Sequence, residues 1–170
     1  PRVARKTRTL RFAEAQHKDW TREARGPNGR GLCRYCLAEC PPGRRRVWCS
    51  PDCEHFFRLR THNGYFRAQV RKRDRGICSV DGCGLDTYAL NLASRSFKGI
   101  ERIRFLESYG FTAKDAKRKT LWDADHVIPI AEGGDPFDID RNVVTLCIPH
   151  HREKTAAQAK RRNAVKKNRT

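Results

Sequence analysis

Eight cysteines in 170 residues constrain this chain more than any other feature, because most of them come in close pairs. Cys33 and Cys36 have two residues between them, Cys49 and Cys53 three, and Cys78 and Cys83 four. Far downstream, Cys147 is followed by two residues and His150. Pairs this tight suit a tetrahedral Zn²⁺ ion, whose ligands must all converge within about 2.0–2.3 Å of one centre. Four disulfides or eight ordinary buried thiols are the competing readings, and neither accounts for the spacing. Two structural zinc ions are therefore expected, one on Cys33, Cys36, Cys49 and Cys53, the other on Cys78, Cys83, Cys147 and His150. Cys40 is left over as a spare thiol. His55 reads as a surface or packing residue, because four cysteines already complete the first site.

Composition narrows the partners. Hydrophobic residues make up 38%, so a large apolar core is not the whole stabilising device. Thirty-seven Lys and Arg stand against 19 Asp and Glu, a formal charge of +18 with a pI near 10.2. Positive charge spread along a whole chain attracts polyanions, and points to nucleic acid rather than an anionic membrane surface. No apolar run approaches the ~20 residues that span a bilayer. The basic start PRVARKTRTLRF has no apolar stretch after it, so it is not read as a secretory signal. An intracellular protein, in cytoplasm or nucleus, is expected, with thiols free to bind metal. Lacking an initial methionine, the chain reads as a processed product or a piece of something longer.

Residues 1–30 read as a basic arm and linker ending in the turn-rich GPNGRG, and 31–62 as a zinc module with four cysteine ligands. Within the module, Ser50-Pro51-Asp52 predicts a helix with Ser as cap and Pro in its first turn. A second helix is predicted from Asn63-Gly64 to Arg75, stopped by Gly76, with Tyr65, Phe66, Ala68 and Val70 partly inward. An insert over 84–120 holds one helix, with Ile100, Ile103, Leu106 and Tyr109 or Phe105 in apolar helical rhythm, closed by Gly110. Thr112 and Asp115 resemble a capping box opening a short basic helix. LWDADHVIPI (121–130) and RNVVTLC (141–147) read as strands about an EGGD turn. From His150 the chain is helix-forming and carries eight Lys or Arg against one Glu. The Gly133-Gly134 pair is expected to let the loop swing close to a bound backbone.

Asp125-His126 falls on the first strand, Asn142 comes 16 residues after His126, and His151 nine after Asn142. Each alone has a dull explanation: a satisfied polar pair, a turn residue, a helix-start histidine. Together they lie on a strand–loop–strand–helix frame with a knuckle feeding both ends. The motifs RKRDRGICSVDGCG, DADHVIPIAEGG, RNVVTLC and HHREKTA together resemble the HNH endonucleases. NGYFRAQV and HHREKTAAQAK look more closely like the nuclease domain attached to annealing helicases of the SNF2 class. The resemblance implies a small α+β fold: a ββα-metal finger with two structural zinc knuckles, a helical insert and basic flanking helices. It spans 63–160, leaving 161–170 as a basic tail. Two departures stand out, since that family usually separates the first knuckle's cysteines by two residues and ends the second with Cys rather than His150. Zinc accepts both changes, because an imidazole nitrogen serves as a ligand and a longer loop still closes.

What the resemblance implies for chemistry is hydrolysis of DNA phosphodiester bonds, nicking or structure-selective, with one divalent ion. Asp125 and His151 would hold catalytic Mg²⁺ or Mn²⁺, Asn142 would join them or orient His126, and His126 would be the general base. A hard cation wants carboxylate oxygen and open positions for phosphate and water. Imidazole is the side chain suited to proton abstraction near neutrality. Asp123 shares a strand face with Asp125 and is a competing ligand. The partner would be DNA, duplex or branched. The alternative is a non-catalytic zinc module that only binds nucleic acid, for which the four catalytic-site residues would be coincidence.

Overall fold

The computed structural model describes residues 12–43 and 47–167. The first 11 residues of the expected basic arm lie outside the described residues, as do Arg44, Arg45 and Arg46 of the CPPGRRR loop and the last three of the tail. Six α-helices are described: α1 (Phe12–Ala15), α2 (Pro51–Thr61), α3 (Asn63–Asp74), α4 (Thr87–Ala93), α5 (Gly99–Glu107) and α6 (Ile148–Lys167). The strands β1 (Trp122–His126) and β2 (Val143–Cys147) pair antiparallel, with Asp125 opposite Val144 and His126 opposite Val143. It is a small α+β chain. Its contacts fall into two compact units, Pro1–Ala68 and Gln69–Thr170.

In the first unit, bridges between Arg25 and Gly31 and between Leu32 and Glu39 shape the loop that carries Cys33 and Cys36. α2 starts as its sequence dictates: Ser50 Oγ accepts from the Cys53 amide at 3.2 Å, and Pro51 needs no donor partner in the first turn. Phe57 and Leu59 are its buried residues. Phe57 meets Trp48, ring centroids 4.7 Å apart, and its ring lies under the Arg34 guanidinium, which also stacks over Trp20. Burial lowers the pKa of Arg34.

In the second unit, Arg75 and Gly76 take positive φ (56° and 78°), ending α3 and turning the chain into the Cys78 loop. Ala68, expected to turn partly inward, is exposed. Arg73 and Asp74, at the end of α3, fix β2 in place. The Arg73 guanidinium pairs with Asp74 and donates to the Val143 and Ile139 carbonyls, while Asp74 Oδ2 accepts from the Thr145 amide at 3.0 Å.

A hairpin of two strands is marginal alone. This one is held by a core of Leu90, Leu106, Phe111, Leu121, Leu146 and Ile148, closed by Cys78 and Cys147. The insert holds α4 as well as the expected α5. Asp86 caps α4, accepting from the Tyr88 and Ala89 amides at 2.9 and 2.8 Å. The Thr112–Asp115 box forms reciprocally, but only a single 3₁₀ turn follows it, Asp115–Lys117. α6 has no apolar stripe, so polar contacts dock its first turns. Arg152 reaches Asp115 and the Gly110 carbonyl, both at 2.9 Å. Beyond Lys160 the described side chains of α6 are exposed.

Candidate metal centres and active site

Two groups of ligand atoms converge, each within 4.8 Å of one another: Cys33, Cys36, Cys49 and Cys53, and Cys78, Cys83, Cys147 and His150. In the first, Sγ atoms of Cys36, Cys49 and Cys53 lie 3.4, 3.4 and 3.6 Å apart. A disulfide needs about 2.05 Å, whereas a tetrahedral ion with bonds of about 2.3 Å sets its sulfurs about 3.8 Å apart. The donor set therefore fits a zinc-like ion. Local structure produces it: a loop turn supplies Cys33 and Cys36, and the cap of α2 brings Cys49 and Cys53 together. Burial raises the Cys33 thiol, but backbone amides of Cys49, Cys36 and Tyr35 outweigh it and bring the pKa down to about 7. Burial pushes Cys49 and Cys53 up, a state that a bound cation would reverse. Cys40, 1% exposed, stands outside the group, its thiol pushed up by burial.

The second group ties three elements together. Cys78 and Cys83 come from the loop after α3, Cys147 ends β2, and His150 lies in the first turn of α6. His150 turns Nδ1 toward Sγ of Cys147 (3.2 Å) and Cys78 (3.5 Å). The Cys147 amide donates to Cys78 Sγ at 3.3 Å. Burial opposes ionisation of Cys78, but amides of Cys147 and Val80, with His150 and Cys83, bring it to about 7. Cys147, more deeply buried and beside Cys78, is pushed up to about 12.

Neighbouring helical side chains diverge by about 100°, and the paired histidines follow that rule. His151 leaves the thiol group and places Nδ1 3.7 Å from Asp123 Oδ2, which also accepts from Arg118 at 2.7 Å. Asp125, on the same strand face, is met by Lys154, one helical turn beyond His151. Its ammonium lies 2.8 Å from Asp125 Oδ2 and 2.5 Å from the His126 carbonyl. His151 and Lys154, three residues apart, lie on one helix face and meet the two carboxylates of β1. Among the described residues, no third group of Cys, His, Asp or Glu converges as the two thiol groups do. The Lys154 ammonium takes up the Asp125 carboxylate and the His126 main-chain oxygen, while the His151 imidazole meets Asp123; carboxylates and an imidazole are donors a hard divalent cation accepts.

His126 is 9% exposed, and its Nε2 lies 3.2 Å from the Pro136 carbonyl. A carbonyl only accepts, so Nε2–H donates to it. Asn142, 5% exposed, commits both ends of its amide to the loop after β1. Oδ1 accepts from the Ile128 amide at 2.7 Å, and Nδ2 donates to the carbonyls of Ile128 (3.2 Å) and Asp135 (2.8 Å). A Cβ on Gly134 would collide with the Ile128 carbonyl and sit 2.7 Å from Asn142 Nδ2. Gly134 makes room for Asn142 to fasten the loop. His55 donates to or accepts from the Tyr65 hydroxyl at 2.8 Å, apart from both thiol groups.

Cys36→Ser is expected to release one metal ion and destabilise only the N-terminal unit, with metal content and amide protection as readouts. A fully stable variant with unchanged metal content would mean that these thiols are merely buried side chains.

No family model matches the chain. It is similar to the DNA annealing helicase and endonuclease ZRANB3 of Mus musculus, 34% identical in an alignment 158 residues long that covers 82% of this chain and 14% of that protein. The Homo sapiens protein of the same name is 30% identical in an alignment 130 residues long that covers 71% of this chain and 12% of that protein. The chain thus matches only a small part of the length of these relatives. The crystal structure of the human ZRANB3 HNH domain superposes with a TM-score of 0.51 at 30% identity, covering 62% of this chain and 96% of that one.

Proposed function

The chain belongs to the HNH family, the domain type found in ZRANB3, and from that membership we propose that it is a divalent-metal-dependent endonuclease acting on DNA phosphodiester bonds. One observation carries the reading. His126 ends β1 with Nε2 at 3.2 Å from the Pro136 carbonyl, directly after Asp125, whose carboxylate pairs with Lys154 of the helix that bears His151. We take 63–160 as the nuclease domain.

His126 Nδ1 takes a proton from a water molecule as the water oxygen attacks phosphorus. Asn142 is a positioning residue, fixing the loop that carries the Pro136 carbonyl and hence the imidazole. Asp125 and His151 are the ligands proposed for Mg²⁺ or Mn²⁺, with Asp123 at the same strand face. When bound, that ion would offset negative charge building on the phosphate oxygens. The bond to the 3′ oxygen breaks and that oxygen takes up a proton, leaving 5′-phosphate and 3′-hydroxyl ends. The thiol groups are proposed as structural Zn²⁺ sites that stabilise the frame and take no part in hydrolysis.

Lys154 and Arg118 already pair with Asp125 and Asp123, which is what a non-catalytic nucleic-acid-binding module would display. A supercoiled-plasmid nicking assay separates the two. Nicking with added Mg²⁺ or Mn²⁺ that stops without them supports the enzyme; binding with no nicking under any divalent ion supports the module.

Affinity should come mainly from phosphate contacts, because the outer turns of α6 are basic and exposed. If about six phosphates are neutralised, log K should fall against log salt with a slope of roughly −5 on duplex. Deleting residues 156–170 should weaken all sequences alike. A loss confined to particular sequences would contradict a phosphate-only role for this segment.

A further inference from the structure

Phe56 and His55 of α2, with Tyr35 and Tyr65 beside them, form a row of rings. Phe57 is buried at 1% exposure, while its neighbour Phe56 is 44% exposed. Phe56 stacks on Tyr35 with centroids 6.0 Å apart and planes at 26°. His55 meets Phe56 edge to face at 5.5 Å, meets Tyr65 at 5.6 Å and is hydrogen-bonded to the Tyr65 hydroxyl. Guanidinium groups close both ends: Arg60 lies 5.3 Å over the Tyr35 ring and Arg58 4.7 Å over the Tyr65 ring. All six residues belong to the first compact unit.

We propose that this row is a stacking platform for unpaired nucleotides of DNA. An exposed phenyl ring costs free energy in water unless something flat and weakly hydrated covers it. A nucleobase is such a partner, and its stacking on a ring tolerates any sequence. Arginines at both ends of the row supply charge for the phosphates flanking the stacked base, in a chain of net charge +18. Base faces are hidden in a duplex and available in a single strand, so the platform favours opened or branched DNA over paired DNA. The hydrogen bond between His55 and Tyr65 and the cation–π contacts hold the rings before a base arrives, limiting the ordering cost of binding. The choice of DNA over another single strand rests on the nuclease reading; the platform itself rests on the rings.

The test measures fluorescence anisotropy of a labelled oligothymidylate and of a same-length duplex, with the full zinc-loaded chain and no added Mg²⁺ or Mn²⁺. Phe56→Ala should weaken single-strand binding about tenfold, and duplex binding by less than about twofold. Phe56→Trp should retain single-strand affinity, and Phe56→Leu, apolar but without a flat face, should lose it. An equal loss on both DNAs, an unchanged single-strand affinity, or a Leu variant as good as wild type would overturn the platform. Metal content and melting temperature of each variant report folding. If the variants behave as expected while the wild type never nicks plasmid, the platform stands and the nuclease reading fails; nicking with no effect at Phe56 means the reverse.

Discussion

His126→Ala should lose cleavage by about 10²–10⁴-fold, the range that a positioned general base supplies, while keeping its fold, its metal content and its DNA affinity. The geometry explains why the loss is confined to chemistry. His126 makes one side-chain hydrogen bond, from Nε2 to the Pro136 carbonyl, and is a ligand in neither thiol group. Removing it forfeits about 1 kcal/mol of hydrogen bonding and leaves untouched the three bonds by which Asn142 fastens the loop. DNA affinity depends on Lys and Arg, which the substitution spares. Single-turnover cleavage beside thermal melting and anisotropy measures all three properties. Residual cleavage above about a tenth of wild type would show that another group activates the water.

Cys147→Ser should have the largest effect on stability. Cys147 is 2% exposed at the junction of β2 and α6, and its group reaches back through Cys78 and Cys83 to the loop after α3. Burial and the neighbouring Cys78 push this thiol up, and a bound cation would offset that cost. A structural zinc supplies on the order of 10 kcal/mol of folding free energy, comparable with the whole stability of a typical domain. The hairpin is too short to stand alone, so β1, β2 and the start of α6 should lose protection together, and with them His126 and His151. The variant should keep one metal ion, in the N-terminal unit. A variant that retains two ions and a cooperative transition at the wild-type temperature would refute the structural role.

Sequence legibility followed how local each determinant is. Both thiol groups could be written from spacing alone, because close ligand pairs are fixed by a few residues of chain. The start of α2 and the end of α3 were equally legible through Ser50-Pro51 and Gly76. α4 was missed although Asp86 signals its cap, since TYALNLA shows only Thr87 and Leu90 buried. The first strand was expected to run to Ile130 but ends at His126, because Asn142, distant in sequence, draws the chain after it into a loop. α6 starts at Ile148, two residues before His150, with Pro149 tolerated in its first turn. Lys154 escaped notice because its partners, Asp125 and the His126 carbonyl, lie on another element. Contacts set by tertiary placement leave no mark in local spacing.

The paired histidines offer the most direct test of the central claim, that two metals of different chemistry are held by consecutive residues of one helix. His150 faces the Cys78 and Cys147 sulfurs, and His151 faces the carboxylate edge of β1. The measurement is metal content beside Mn²⁺-dependent plasmid nicking, for His150→Cys, His150→Ala and His151→Ala. His150→Cys should keep two zinc ions and still cut, since thiolate replaces imidazole in kind. His150→Ala should shed a zinc, whereas His151→Ala should keep both zinc ions and stop cutting. If His151→Ala sheds a zinc while His150→Ala keeps both and loses cleavage, the two histidines hold each other's metals and the assignment is wrong.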